Sequence, residues 1–216
     1  MDAEIEAMER NNTWELVVLI EGEKEVGVKW ICKTKLNEKR EVNKFKARLV
    51  AKGYTQEYGV DYSEIYAPVA KHDMISMVIS LANTNEWTIF QLDVKSAFLH
   101  GKLEEQVFIY QPPGYEKRES KNMVYRLKKA LYELKQAPRA WYNRIDTHFV
   151  NFGFCKCLYK HTLYIKTGNT GNIFIVWLYV DDLIFTGNDE DVFKVFKESM
   201  IHEFEMTDLR KNEVFS

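Results

Sequence analysis

Sixteen consecutive residues, Asn172–Gly187 (NIFIVWLYVDDLIFTG), constrain the fold of this chain more than any other stretch. Two strand-favouring apolar runs, Ile173–Tyr179 and Leu183–Thr186, flank the adjacent acids Asp181 and Asp182 with almost nothing between them. That is the pattern of a tight β-hairpin. A two-residue hairpin turn wants Gly or Asn where φ is positive, and the β-branched Val180 is strained in that position. Two carboxylates side by side on a rigid hairpin repel each other and lose solvation unless a cation lies against them. Asp is also a common turn residue. The pair alone is compatible with either reading, and a cation site requires a third ligand.

The segment Trp87–Asp93 (WTIFQLD) supplies one. Its alternation puts Trp87, Ile89, Gln91 and Asp93 on one face of a strand that ends in an acid. A buried carboxylate without a partner is costly, and a metal is one of few things that offsets the cost. Three carboxylates from separate strands make a hard-oxygen set suited to Mg²⁺, and a pair of such ions serves in-line phosphoryl displacement.

The remaining pattern places these strands in an α+β fold, because helices alternate with antiparallel hairpins rather than βαβ repeats. Residues 1–12 read as a short helix, and Trp14–Leu19, Lys29–Leu36 and Phe45–Lys52 as strands, the last two forming a basic hairpin. Asp73 is placed as the cap of a helix with Met74, Met77, Val78, Leu81 and Ala82 inward. Residues 115–136 read as basic and turn-like. Pro138 opens a helix with Trp141, Ile145 and Phe149 on one stripe, stopping near Gly153. Leu158–Lys166 reads as a strand and Gly168–Gly171 as a turn. Asn188 or Asp189 caps a last helix with Val192, Val195, Phe196 and Ser199 or Met200 inward.

The net charge of −2 conceals two basic blocks: Lys24–Lys52 holds ten Lys/Arg against three Glu, and Lys117–Arg144 holds nine against two. Interleaved with aromatics, they suit phosphate backbones and stacked bases, or else form solvated charged faces. The three cysteines lack framework spacing and suit a reducing compartment; Cys155, Cys157 and His161 fall short of a zinc site. The acidic start is unlike a signal peptide, and no apolar run is long enough to span a membrane.

The segments FKARLVAKGYTQ (45–56), GVDYSEIYAPVA (59–70), FQLDVKSAFLHGKLEE (90–105), QPPGY (111–115), LKQAPRAWY (134–142) and LYVDDLIFTGND (178–189) occur in one order. Together they resemble the reverse transcriptase domain of copia-type long-terminal-repeat retrotransposons, from about residue 3 to Leu209. The resemblance implies a right-hand polymerase: fingers over 1–86, palm over 87–114, a return to the fingers over 115–136, and palm over 137–216. An antiparallel sheet carries the acidic hairpin, with helices packed on one face. The thumb and ribonuclease H regions are expected to lie outside this chain.

It further implies an RNA-directed DNA polymerase using an RNA template, a DNA primer, deoxynucleoside triphosphates and two Mg²⁺ ions, with Mn²⁺ able to substitute. Asp93, Asp181 and Asp182 would be the catalytic acids and, with the Val94 carbonyl, the metal ligands. Lys46, Arg48, Phe98, Gln136 and Arg139 would meet the nucleotide, Phe98 by excluding a ribose 2′-hydroxyl. Tyr179, Lys128 and Lys129 would meet nucleic acid. Other Pol polyprotein regions are implied partners, no membrane is, and the implied setting is cytoplasmic, within a virus-like particle for an intact element. Glu133, Arg40 and Arg210 stand where the family has Gly, Ser76 replaces a usual Arg and Lys160 a usual Asp. A remnant that binds nucleic acid without catalysis is the alternative, and a metal-dependent nuclease a third.

Overall fold

The structure, a computed structural model, describes residues 1–37, 39–168 and 171–208. In chain order its elements are α1 (Asp2–Arg10), β1 (Trp14–Val18), β2 (Glu25–Val26), β3 (Val28–Leu36), β4 (Val42–Ala51), α2 (His72–Thr84), β5 (Phe90–Val94), β6 (Lys102–Ile109), β7 (Met123–Lys129), α3 (Ala137–Phe152), β8 (Cys155–Cys157), β9 (Lys160–Thr167), β10 (Ile173–Tyr179), β11 (Asp182–Gly187), α4 (Glu190–Glu203) and β12 (Met206–Asp208). The class is α+β. Two units divide the chain, Met1–Tyr66 with Phe98–Trp141 and Ala67–Ala97 with Tyr142–Ser216. These divisions differ from the fingers and palm boundaries drawn from the sequence. Among the described residues, no helix is long and apolar enough to cross a membrane.

The first unit holds a four-stranded sheet, in the order β1-β7-β6-β2, and the separate ribbon β3-β4. Its core gathers Met8, Trp14, Leu49, Leu99, Ile109, Tyr125, Leu127 and Leu131. The turn-like reading of 115–136 fails over β7, a central strand whose Val124, Tyr125 and Leu127 are buried. Its flanking lysines masked a strand that is apolar only where it meets the core. The Tyr132 carbonyl accepts from the Ala51 N–H at 2.9 Å, fastening the segment after β7 to the end of β4.

The second unit is built on a six-stranded sheet in the order β12-β5-β11-β10-β9-β8. The sequence reading put helices on one face, but β10 is apolar on both, and both are covered. Phe174 meets Phe193 and Phe196 of α4, and Phe149 of α3 meets Tyr164, forming an aromatic layer on one side. Ile175, Trp177 and Ile184 pack with Met74, Ile75 and Val78 of α2. A strand with two apolar faces loses stabilisation wherever either is left wet.

Two helical stripes differ from the sequence reading. In α2, Val78 and Ala82 are buried, but Met77 and Leu81 are exposed. The apolar residues span a broad arc of this helix, and the side turned inward runs through Met74, Ile75, Val78 and Ala82. Lys71, not Asp73, is the N-cap residue, and Asp73 lies in the first turn, where its charge suits the helix dipole. In α4 the buried residues are Phe193, Phe196 and Met200, while Val195 faces solvent. Asp189 caps that helix as the sequence indicates, accepting from the Val192 N–H at 3.1 Å. Gly153, at φ +94°, follows the end of α3. Residues 169 and 170 of the expected turn, together with Leu209 and Arg210, lie outside the described residues.

Candidate active site

β10 and β11 pair from Phe174↔Gly187 to Tyr179↔Asp182, leaving only Val180 and Asp181 as the loop. Val180 has φ +55°, and Asp181 is not among the residues with positive φ. A positive φ at the first loop position alone is where hairpins of this kind normally take Gly. The strain read from the sequence is therefore present in the fold.

β5 lies on the other side of β11, with Asp93 directly opposite Asp182. Opposite residues of an antiparallel pair share a face, with Cβ atoms about 4.5–5.5 Å apart. The Val94 N–H donates to the Asp181 carbonyl at 2.9 Å, fixing the hairpin tip to the end of β5. Asp93, Asp181 and Asp182 are each partly buried, and Val94 is fully so. The backbone thus brings Asp93 to the same end of one sheet as the adjacent pair Asp181 and Asp182, nearly ninety residues further along the chain.

Their donor set fits a hard divalent cation, since every ligand offered is oxygen. Among the described residues, no three His, Cys, Asp or Glu side chains are gathered as a metal cage. Asp182 Oδ1 instead accepts from Gln91 Nε2 at 3.2 Å. Gln91 went without a role in the sequence reading, although the alternation that found Asp93 puts it on the same face. Tyr179, opposite Asp182, stacks on Trp177 with ring centroids 5.7 Å apart.

The first unit carries the remaining candidates. A cavity of about 420 Å³ is lined by Lys46, Arg48 and Phe98, together with Lys33, Lys35 and Glu133 among others. The Arg48 guanidinium lies 4.9 Å from the Tyr132 ring centroid, and Phe98 meets that ring edge-on at 5.4 Å. Gln136 lies away from this lining: it is buried, accepts from Gln56 Nε2 at 3.1 Å and donates to the Asp61 carbonyl at 3.3 Å. Arg139 is held by Glu104 at 2.8 Å and Glu105 at 3.6 Å. Lys128 pairs with Glu15 at 2.8 Å, and Lys129 follows it at the end of β7. Lys33 and Lys35 were not singled out from the sequence. Their signal was the alternation of β3, which puts them on the same face as Lys46 and Lys44 across the ribbon.

A family model described as reverse transcriptase (RNA-dependent DNA polymerase) matches residues 11–216. The chain is 39% identical over 209 residues to the Retrovirus-related Pol polyprotein from transposon TNT 1-94 of Nicotiana tabacum, covering 97% of this chain and 16% of that protein. It is 40% identical over 210 residues to the corresponding polyprotein from transposon RE2 of Arabidopsis thaliana, covering 94% of this chain and 14% of that one. The chain therefore spans only about one-seventh to one-sixth of the length of these relatives. A solved structure of apo telomerase from Candida tropicalis, truncated from its C-terminal domain, is similar at a TM-score of 0.46 and 8% identity, covering 99% of this chain and 55% of that chain.

Proposed function

This chain belongs to the reverse transcriptase (RNA-dependent DNA polymerase) family as borne by copia-type Pol polyproteins, and on that premise we propose that it is the fingers and palm of a right-hand polymerase that adds deoxynucleotides to a primer on an RNA template. The observation that carries this reading is the register pairing Asp93 with Asp182 while Val94 holds Asp181.

Asp93, Asp181 and Asp182 are the residues to hold divalent cations, with the Val94 carbonyl as a further oxygen. Two Mg²⁺ ions, or Mn²⁺, would supply a lowered pKa at the primer 3′-hydroxyl and charge neutralisation at the triphosphate and departing pyrophosphate. Gln91 keeps Asp182 oriented by hydrogen bonding. Lys46 and Arg48 neutralise triphosphate charge, and Phe98 supplies the wall that rejects a ribose 2′-hydroxyl. Gln136 and Arg139 act by shaping the nucleotide pocket, since both side chains are engaged within the protein. Tyr179, Lys128 and Lys129 contact primer or template, and the other Pol regions are partners of the intact polyprotein.

Primer extension on an RNA template tests the reading. The wild type is expected to incorporate deoxynucleotides only with Mg²⁺ or Mn²⁺, and Asp181→Asn to lose incorporation. Absence of metal-dependent extension by the wild type, or equal extension by the variant, rejects it. A second reading, nucleic-acid binding without catalysis, is favoured by Glu133, whose carboxylate lines the cationic cavity. Extension by the wild type would eliminate it.

A further inference from the structure

The cavity on the β3-β4 ribbon has an unusual charge arrangement. In the ribbon register Lys33 is directly opposite Lys46, and Lys35 directly opposite Lys44. Like charges directly opposite one another destabilise an antiparallel pair. Lys33, Lys35 and Lys46 all line the cavity, with Arg48 beside them, so four cations surround one space. The Arg48 Nε is buried and has no hydrogen-bond partner among the described residues. Such a wall gains stability from an anion.

Glu133 is the one carboxylate in this lining among the described residues, and its backbone makes its position informative. Its φ is +67°, a conformation costly for any residue but Gly and retained only where the surroundings impose it. Here they do. The preceding carbonyl, of Tyr132, accepts from Ala51, and the Glu133 carbonyl lies 1.9 Å from where a Cβ on Gly53 would be. Backbone packing fixes the left-handed conformation whichever residue occupies position 133. The side chain is therefore separable from the fold. It is half exposed, 3.5 Å from Lys29 Nζ, a surface pair that contributes little to stability.

We propose that the Glu133 carboxylate is a tethered competitor in this cavity, lowering its affinity for a triphosphate anion. This rests on the nucleotide reading of Lys46 and Arg48 and adds a residue that tunes the site. An incoming anion meets that carboxylate in the cavity lining, where like charge repels it.

Calorimetric titration of the full chain with inorganic tripolyphosphate, without divalent metal, tests this apart from catalysis. Glu133→Gln and Glu133→Gly are both expected to tighten binding about tenfold at low salt, from removing one charge close to several phosphate charges in a half-exposed setting. The gain should shrink as salt rises. Adding Lys46→Ala to Glu133→Gln should abolish it. Thermal unfolding separates charge from strain: Gly raises the melting temperature and Gln leaves it near the wild-type value. Unchanged or weaker tripolyphosphate binding by Glu133→Gln overturns the competitor. If the wild type extends primers but Glu133→Gln binds tripolyphosphate no better, the polymerase reading stands and the competitor falls. If Glu133→Gln tightens binding in a chain that extends nothing, the reverse holds.

Discussion

Val180 is the most informative single position in the acidic hairpin, because its φ of +55° inverts an ordinary order of substitutions. At a position with negative φ, Ala is more stable than Gly by about 0.5–1 kcal/mol, because Gly loses more backbone freedom on folding. At positive φ an L-residue pays about 1–2 kcal/mol for Cβ crowding that Gly avoids. Both Val180→Ala and Val180→Gly remove the same exposed branched methyls, 47% of the residue being accessible already, so packing losses nearly cancel between them. The difference leaves Gly ahead of Ala by about 1 kcal/mol. Urea unfolding of both variants, followed by fluorescence with circular dichroism as a second probe, measures that difference directly. If Val180→Ala is the more stable, Val180 does not occupy the left-handed region. The two-residue loop that sets Asp181 and Asp182 beside β5 would then be wrong.

Further substitutions test the supports around the site. Gly187→Ala would bring a Cβ to 2.1 Å from the Ile173 carbonyl at the far end of the same hairpin. It should cost about 3 kcal/mol or more by urea unfolding, since main-chain oxygen cannot swing aside. Burial pushes the Glu4 carboxyl above its ordinary value of 4.5, and its Oε1 has no hydrogen-bond partner among the described residues. A carboxyl whose folded pKa is raised contributes stability below its unfolded pKa and loses it as pH rises through the folded pKa. Glu4→Gln should flatten that part of the stability–pH curve and stabilise the chain at pH 7, by on the order of 1 kcal/mol. A pH profile identical to the wild type would contradict it.

The hairpin was legible in the sequence because two β-favouring runs enclosed only a pair of acids, and its strain was legible because Val stood where Gly belongs. Asp93 was legible from period-two alternation, which survives in any strand with one wet face. Other parts were hidden for physical reasons. β12 is three residues long and is held by pairing with β5, a contact that no local pattern encodes. β7 resembled a turn because lysines flank its buried residues. The face of α2 was misjudged because its apolar residues span an arc wider than the side that is buried, so Met77 and Leu81 share the arc but not the contact. Gln136 has the polarity expected of a ligand-binding residue, but its hydrogen bonds to Gln56 and Asp61 depend on segments some 75–80 residues away.

The account depends on carboxylates that the sheet register brings together being able to hold a divalent cation. Titration with Mn²⁺, followed by its electron paramagnetic resonance signal on the wild type, Asp93→Asn and Asp182→Asn, tests this most directly. The account predicts that the wild type binds Mn²⁺, that Mg²⁺ displaces it, and that either substitution sharply weakens binding while the fold persists. Equal Mn²⁺ binding by the wild type and both variants would contradict it.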